Sequence, residues 1–400
     1  MHKIKYILCF LFVALNMHAQ PTLSKQAQVS LLTSSPDNSQ VFTLYGHTAL
    51  RVKDMTKGLD LIFNYGIFDF NQSNFIYRFS KGQTDYKLGV ANFQDYIIEY
   101  QMRGSEVVEQ VLNLTPEETL QVWNYLVKNY EPQNRVYRYN FFFDNCSTRP
   151  RDIIEQHLTG KLNYGTKEDS VTFRDLINHC TRNFSWLTFG CDLALGAPTD
   201  DVATAHQKMF LPQYLLHGFE HATIEQADGS KRKLVKETNQ IAEGDKGDKG
   251  DSIQELFTPL VVGWLSFALG LIILLFEYKK RKHYWWIDAV LFFIAGIAGF
   301  ILFFLANFSE HPCVHPNWSL VWLNPIQLVA AILFLVKRAN FVGYYYHFIN
   351  FAVLLLFLMC WNIVPQYLNI ACIPFILLLW SRSFSGVVAY IRLERSGDKK

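Results

Sequence analysis

The sequence carries little net charge for its length, and this lack excludes some classes of partner. Its 37 Lys and Arg residues nearly balance its 35 Asp and Glu residues, so the formal net charge is +2. Proteins that bind nucleic acid or strongly anionic substrates usually present a field of one sign. We therefore expect neither kind of partner.

Long apolar runs are scarce in the first 250 residues, whereas they dominate the rest. Residues up to about Ser252 mix charged and apolar side chains as soluble domains do, but residues from about Leu256 to Trp380 form long apolar runs between short polar loops. Because a membrane-spanning helix needs about 20 mostly apolar residues, the pattern predicts a soluble half followed by a membrane half.

The N-terminus has the layout of a secretory signal peptide. Basic residues within positions 1–5 precede ten apolar residues at positions 6–15, and Ala19 offers a cleavage site. Ten apolar residues are too few to span a bilayer, so we predict a signal peptide over residues 1–19. An uncleaved anchor is the alternative and would leave the remaining topology unchanged. The domain that follows is exported into an oxidising compartment.

Cysteine is scarce in the exported half. Only Cys146, Cys180 and Cys191 of the seven cysteines lie there, outside the signal segment and the membrane half. An odd number leaves at least one thiol unpaired or bonded to another molecule. Cys180 and Cys191 could form a local disulfide or remain two buried thiols, and Cys146 is left over.

The soluble half, residues 20–225, alternates strand and helix patterns, which predicts an α+β fold. Short runs rich in β-branched and aromatic residues are bounded by turn formers. The run Thr115-Pro116-Glu117-Glu118 is typical of a helix start. Predicted strands cover residues 29–33, 46–52, 61–65 and 136–143, and predicted helices cover residues 93–102, 115–130 and 150–158.

Residues 226–255 lose this periodicity, and we predict a flexible linker there. The segment ends in a Gly-Asp-Lys repeat over residues 243–251. The repeat is similar to collagen in its glycine spacing, but it lacks proline and is short, which favours a solvated linker.

The membrane half, residues 256–381, contains about five apolar segments, and its loops indicate their orientation. Lys and Arg are absent from residues 307–319 and 362–369, whereas basic residues occupy 279–282, 337–338 and the tail, residues 382–400. Since cytoplasmic loops are enriched in Lys and Arg, we expect the linker outside and the C-terminus in the cytoplasm. Pro365 could instead mark a re-entrant hairpin. The predicted spans are residues 256–276, 284–306, 320–336, 346–361 and 364–380.

Cys146 is the strongest candidate for chemistry, because it lies where a predicted strand ends and a helix begins. Unpaired N–H groups at a helix N-terminus stabilise a thiolate and lower the thiol pKa. The same groups could stabilise an oxyanion during acyl transfer. A buried, inert thiol is the alternative.

A thiol nucleophile needs a base, and His47 is the best-placed histidine of the soluble half. It begins a predicted strand, and strand alternation puts His47, Ala49 and Arg51 on one face. A hydrogen-bonded structural histidine is the alternative. The third member of the group would lie on the adjacent strand, where Asn64 is the first choice and Asp69 the second.

Further residues could bind substrate. Arg149 and Arg151 could contact phosphate, although a solvated face explains them equally well. The external loop offers His311, Cys313 and His315, whose residue types suit zinc, but two prolines disfavour their convergence, and headgroup binding or interfacial packing is the alternative. The candidate substrate-binding residues are Tyr45, Arg149, Arg151, His311 and Asn317. No metal site and no cofactor is predicted.

Four segments, in order along the chain, carry a resemblance to a known family. They are GHTALRV at residues 46–52, FNYGIFDF at 63–70, DNCSTRPRD at 144–152 and MFLP at 209–212, and the loop HPCVHPN with the following WLNP agrees. Together they resemble the Lnb family of bacterial lipoprotein N-acyltransferases. More distantly, a His-bearing strand ahead of an Asn-Cys helix is similar to the circularly permuted NlpC-like branch of the papain superfamily, which includes lecithin:retinol acyltransferase.

This resemblance implies a fold and a reaction. The fold would be an α+β papain-like periplasmic domain followed by an all-α transmembrane bundle of about five helices in the bacterial inner membrane. Cys146 would take an acyl chain from a membrane phospholipid as a thioester, with His47 as general base. The acceptor would be the α-amino group of the N-terminal diacylglyceryl-cysteine of a lipoprotein. Ser147-Thr148 stands where the usual pattern has two threonines and should keep the helix cap.

The sequence leaves two other functions open. The papain-like relationship would allow a membrane-tethered cysteine peptidase or amidase that acts on cell-wall peptides, and the architecture could also serve a non-catalytic receptor or scaffold. The acyltransferase is favoured because both of its substrates reside in the outer leaflet of the membrane. A tethered enzyme avoids extracting them at about 0.8 kcal/mol per CH₂.

Overall fold

The computed structural model describes residues 22–68, 73–165, 168–244, 256–336 and 340–395. The predicted signal peptide and most of the Gly-Asp-Lys repeat lie outside these residues. The chain forms an N-terminal α+β domain, residues 22–244, and a C-terminal helical domain, residues 256–395. The predicted fold class, an α+β domain followed by a helical membrane domain, is confirmed.

A seven-stranded antiparallel sheet forms the centre of the N-terminal domain. Its strands are β1 (Gln28–Ser34), β2 (His47–Asp54), β3 (Leu59–Ile67), β4 (Asp85–Asn92), β5 (Val107–Leu112), β6 (Val136–Arg138) and β10 (Val235–Ala242). The strand order is β10-β5-β1-β2-β3-β4-β6. Consecutive strands β1 to β4 pair with their neighbours in sequence, so β2 and β3 lie side by side at the centre.

Helices cover both faces of this sheet. On one face Leu50 of β2 packs with Trp123 and Ile154, and on the other face Ala49 packs with Tyr96. This is the alternation expected of a strand that is buried on both sides. The helices are α1 (Phe75–Ser80), α2 (Phe93–Met102), α3 (Pro116–Tyr130), α4 (Thr148–His157), α5 (Phe173–Thr181), α6 (Ser185–Ala194), α7 (Ala205–Lys208) and α8 (Pro212–His221).

The predicted start of α3 is confirmed by a reciprocal cap. The hydroxyl of Thr115 accepts from the N–H of Glu118 at 3.2 Å, and a carboxylate oxygen of Glu118 accepts from the N–H of Thr115 at 2.8 Å. The pair satisfies two N–H groups that the first helical turn leaves without partners. Glu118 is fully buried and also binds the guanidinium of Arg232 at 2.6 Å.

The prediction of a flexible linker over residues 226–255 is wrong for its first part. β7 (Lys161–Asn163), β8 (Thr223–Glu225) and β9 (Lys231–Lys233) form a second, three-stranded sheet, and β10 pairs with β5 in the main sheet. Strand β10 lies at an edge, where one side of the strand faces solvent and polar residues are tolerated. Its polar sequence therefore resembled a linker, and the last strand of the N-terminal domain ends at residue 242.

Five helices form the membrane domain. They are α9 (Pro259–Lys280), α10 (Trp285–Phe308), α11 (Ile326–Leu333), α12 (Asn340–Met359) and α13 (Cys372–Arg395). Among the described residues, four of them are long and apolar enough to cross a membrane, whereas α11 has only 8 residues and follows a short 3-10 turn at Trp318–Val321. The predicted third span is thus much shorter as a helix than the sequence suggested.

The predicted fifth span and cytoplasmic tail also need correction. We predicted a span over residues 364–380 with a tail from residue 382, but α13 begins at Cys372 and continues to Arg395. The sequence suggested an end near Arg382 because a cation is costly in a membrane. In the structure this guanidinium is buried and paired with Glu277 at 2.8 Å and Asp288 at 2.6 Å.

The N-terminal domain is joined to one end of the helical bundle. The indole N–H of Trp186 donates to the carbonyl of Phe257 just before α9, and the amide of Asn369 just before α13 donates to Asp192, both at 2.8 Å. Phe189 of α6 belongs to the apolar core of the bundle. Because α9 and α13 start beside this domain, the ion pairs of Arg382 lie toward the opposite end.

Candidate active site

Cys146 lies immediately before α4, in a loop that the side chain of Asn145 holds together. The amide nitrogen of Asn145 donates to two backbone carbonyls at 2.7 and 2.8 Å. Its amide oxygen accepts from the N–H groups of Ser147 and Thr148 at 2.8 and 2.9 Å. These bonds satisfy the first N–H groups of the helix and fix Cys146 at its N-terminus.

The resemblance implies that the pair Ser147-Thr148 keeps the helix cap. In the structure Thr148 shares the cap with Asn145, because the Thr148 hydroxyl accepts from the N–H of Asn145 at 2.8 Å. The Ser147 hydroxyl instead lies 3.0 Å from the hydroxyl of Thr48 on β2. Both hydroxyls are buried. Ser147 therefore ties the N-terminus of α4 to the strand that carries His47.

His47 and Asn64 meet the thiol at the end of the sheet. His47 is the first residue of β2, and its Nε2 lies 2.6 Å from Oδ1 of Asn64 on the neighbouring strand β3. The imidazole also hydrogen-bonds the thiol of Cys146. The structure brings these three side chains together; Asp69, the second choice for the third position, lies outside the described residues.

Gly66 allows Cys146 and His47 to approach this end of β3 closely. The sequence-based prediction of the site did not include Gly66. Its φ angle is +96°, and a Cβ at this position would lie 3.6 Å from Cβ of Cys146 and 3.9 Å from Cε1 of His47. A side chain there would fill the space beside the thiol. Its place two residues after Asn64 was the available signal, since a glycine inside a strand often marks a close backbone contact.

The electrostatics of the site favour a thiolate. Burial raises the pKa of the Cys146 thiol, but the net shift is downward, because the charge and hydrogen bond of His47, the N–H of Thr48 and the hydroxyl of Ser147 stabilise the anion. Burial lowers the pKa of His47, yet its net shift is upward because the thiolate and Asn64 stabilise the imidazolium. Both shifts favour transfer of the thiol proton to the imidazole, and the thiolate is the reactive form of a cysteine nucleophile.

The other cysteines of the N-terminal domain have different surroundings. All six cysteines in the described part of the chain are free thiols, so the possible disulfide between Cys180 and Cys191 is not formed. Burial raises the pKa of each of these two thiols to about 11. Cys146 therefore stands apart from both in its tendency to ionise.

Two family models match the chain. Residues 19–179 match the Lnb N-terminal periplasmic domain, and residues 251–393 match the Lnb transmembrane domain. The chain belongs to the Lnb family. The two matches cover about three quarters of the sequence. Neither a curated protein nor a solved structure matches significantly.

Membership of the Lnb family fixes the coarse setting of the site. The N-terminal domain is periplasmic, and the helical domain is embedded in the inner membrane. Cys146, His47 and Asn64 all fall within the match to the Lnb periplasmic domain. The thiol is thus on the outer side of that membrane.

Arg149 and Arg151 are engaged inside the protein. The guanidinium of Arg149 forms two bonds with Asp144 at 2.6 and 2.8 Å and lies 3.6 Å from the ring centroid of Tyr137. Arg151 is buried and donates to the carbonyl of His206 at 2.8 Å. A lipid phosphate would have to compete with these partners, and binding by either residue stays a prediction.

The other three predicted substrate residues connect parts of the protein. Tyr45 packs edge-on against the ring of Phe141 with centroids 4.9 Å apart. His311 Nε2 lies 2.7 Å from the carbonyl oxygen of Phe79, and the buried Asn317 amide donates to the last carbonyls of α6. The loop that carries His311 and Asn317 is thus bonded to the periplasmic domain at two places.

One group of side chains among the described residues has the spacing of a metal site. It consists of Asp152, Glu155 and His206 and does not include the cysteine and histidines of the external loop. His206 Nε2 is 3.0 Å from Glu155, and Arg151 pairs with Asp152 at 2.7 Å. Arg151 therefore already offsets part of the negative charge of this group.

Proposed function

We propose that this protein is a lipoprotein N-acyltransferase of the inner membrane, with Cys146 as nucleophile, His47 as general acid and base, and Asn64 as the residue that orients the imidazole. The observation that carries the proposal is the hydrogen-bonded series of thiol, imidazole and amide in an Lnb periplasmic domain. The acyl donor is a membrane phospholipid, and the acceptor is the N-terminal diacylglyceryl-cysteine of a lipoprotein.

The first step of the proposed reaction forms a thioester. The Cys146 thiolate attacks an ester carbonyl of the phospholipid, and the bond from that carbonyl to the glycerol oxygen breaks. The imidazolium of His47 gives its proton to the departing alkoxide, so a lysophospholipid leaves. Asn64 holds the ring at 2.6 Å, which keeps the proton donor aligned with the reacting atoms.

The second step regenerates the enzyme. The α-amino group of the lipoprotein attacks the thioester, and neutral His47 takes a proton from this nitrogen. An amide bond forms, the bond between carbon and sulfur breaks, and the thiolate–imidazolium pair returns. The covalent intermediate divides one difficult transfer into two easier ones, and exclusion of water favours the amine over hydrolysis.

The same proposal places the C-terminus in the cytoplasm. Helix α13 starts beside Asp192 of the periplasmic domain and runs away from it to Arg395. A reporter that is active only in the cytoplasm, fused after Lys400, should be active. Activity of a reporter that works only in the periplasm would contradict this orientation.

Mass spectrometry of a lipoprotein N-terminal peptide tests the activity. In a host without other N-acyltransferases, the peptide should gain a third acyl chain only when this protein is expressed. Cys146→Ala should abolish that chain, whereas Cys180→Ala, the same change at a half-buried thiol, should retain it. A third chain made by the Cys146→Ala protein would refute the nucleophile, and cleaved cell-wall peptides without acylation would favour the peptidase.

A further inference from the structure

Helix α1 exposes an unusual amount of apolar surface. Ile76 is 81% exposed, and its neighbours Tyr77 and Phe79 are 57% and 47% exposed. Three adjacent apolar side chains of this size on one short helix are uncommon on a surface that meets only water. Such a patch marks a binding surface for protein, ligand or membrane.

The position of α1 identifies the membrane as its neighbour. Membrane helix α10 ends at Phe308, and three residues later His311 bonds the carbonyl of Phe79 at 2.7 Å. The N–H of Glu310 donates to the carbonyl of Lys81, just after α1, at 2.8 Å. These two bonds attach α1 to the chain a few residues after the outer end of membrane helix α10. The exposed side chains of α1 therefore lie near the membrane–water interface, where aromatic residues concentrate.

A row of aromatic rings leads from α1 toward the thiol. The aromatic row consists of Phe79, Phe75, Phe68, Tyr86 and Tyr139, whose successive ring centroids are 5.8, 6.5, 4.9 and 4.3 Å apart. At its inner end, a ring carbon of Tyr139 lies 3.9 Å from the Cβ position of Gly66, and Cβ of Cys146 lies 3.6 Å from the same point.

The rings of the aromatic row are partly accessible in the part of the chain that the structure describes. Four of them are half-buried and Phe79 is exposed, so the row forms a partly accessible surface track. Aromatic faces offer apolar area without fixed charge, which suits a hydrocarbon chain. The ion pairs of Arg138 with Asp85 and Glu310 lie alongside and join this part of the domain to the membrane loop.

We propose that α1 dips into the outer leaflet and that the aromatic row receives one acyl chain of a phospholipid, so that its ester reaches Cys146 without the lipid leaving the membrane. This inference rests on the proposed acyltransferase function and adds where the donor binds. The occupant is the donor phospholipid. For this to happen, one acyl chain must tilt out of the leaflet and lie along the rings of the aromatic row.

A photoactivatable lipid tests binding independently of turnover. Full-length Cys146→Ala protein is reconstituted in phosphatidylethanolamine vesicles that contain a trace of phosphatidylethanolamine with a diazirine in one acyl chain, and adducts are mapped by peptide mass spectrometry. The membrane helices provide the positive control. We expect adducts within residues 73–88 as well. Labelling confined to residues 256–395, or labelling of the row only by a photoactivatable diacylated lipopeptide, would overturn the proposal.

A kinetic comparison separates this inference from the proposed function. Thioester formation on Cys146 is measured with phospholipid vesicles and with water-soluble p-nitrophenyl butyrate. Ile76→Asp should lower the ratio of the two rates about tenfold, because an apolar contact with lipid is replaced by a charge. Met55→Asp changes a side chain that is 73% exposed at the far end of β2 and should leave the ratio unchanged.

The outcomes are distinct. If the unmodified protein forms no thioester with either donor, the proposed function fails. If it forms the thioester and Ile76→Asp has the same ratio as the unmodified protein, only the lipid track fails.

Discussion

Replacement of Asn64 by alanine tests the role given to the amide. Asn64 contacts the imidazole of His47 at 2.6 Å and is one of the groups that raise the pKa of this histidine. Without the amide oxygen, the imidazolium loses a hydrogen-bond acceptor and the ring loses its orientation. We therefore expect Asn64→Ala to weaken the ion pair with Cys146 while the thiol itself stays in place.

The expected magnitude follows from the contact that is lost. A hydrogen bond to a charged group contributes about 1.5–3 kcal/mol, which corresponds to about one to two pH units in a pKa. The pKa of His47 should fall by about that amount. Because the imidazolium stabilises the thiolate, the pKa of Cys146 should rise in response. The ion pair exists between the pKa of Cys146, its acid limit, and the pKa of His47, its alkaline limit. Asn64→Ala thus narrows this pH range from both sides.

Site-resolved alkylation measures the acid side of this range. The full-length protein is treated with iodoacetamide at a series of pH values, and modification of the Cys146 peptide is followed by mass spectrometry. Only the thiolate reacts, so the midpoint of the rate reports the pKa of Cys146. Cys180, whose pKa burial raises to about 11, is the internal control and should react slowly at neutral pH in every variant.

Asn64→Asp provides the opposite perturbation. A carboxylate in place of the amide should raise the pKa of His47. The pH above which the rate of thioester formation falls should therefore be higher. The reasoning is refuted if Asn64→Ala leaves both the alkylation midpoint of Cys146 and the alkaline limit unchanged.

Three further changes have expected outcomes. Gly66→Ala should slow thioester formation about tenfold, because a side chain at φ +96° strains the end of β3 directly beside Cys146 and His47. Gly58→Ala, also at positive φ but with nothing within 4 Å, should affect stability alone. Equal rates for the two variants would contradict this. Asn145→Ala should lower the free energy of unfolding by at least about 2 kcal/mol and abolish acylation, because it removes the side-chain hydrogen bonds that hold the Cys146 loop. Calorimetry measures the first effect, and peptide mass spectrometry measures the second. Arg382→Met should lower the free energy of unfolding by about 3–5 kcal/mol, because Glu277 and Asp288 stay buried but lose the guanidinium, and their remaining basic partners are histidines such as His283. Thermal unfolding in detergent measures the effect, and Arg395→Met at an exposed site should change little.

The residues of the candidate site could be predicted because each has a signal in the sequence directly around it. Cys146 follows an asparagine at a helix start, His47 opens a strand, and Asn64 lies on the next strand of the same hairpin, where side chains on one face are neighbours. The contributions of Thr48 and Ser147 could not be predicted in the same way. They depend on how close α4 comes to the ends of β2 and β3, which is a tertiary distance with no local signal.

The errors in the fold have physical reasons of the same kind. Strand β10 is polar because it lies at the edge of the sheet, so its sequence resembles a linker. The end of the last span was placed before Arg382 because a lone cation is unfavourable in lipid, but its two carboxylate partners come from other helices, α9 and α10. In both cases the missing information is a partner that is distant in sequence.

Anchoring of α6 among the membrane helices has a consequence for how this protein would meet the two substrates of the proposed reaction. With Phe189 in the core of the bundle, the periplasmic domain is fixed at one height above the bilayer and cannot search the aqueous space. Encounters then occur by lateral diffusion in two dimensions. Turnover should therefore depend on the mole fraction of donor and acceptor within the membrane, and dilution with inert lipid should slow the protein even when the bulk concentration of both substrates is constant.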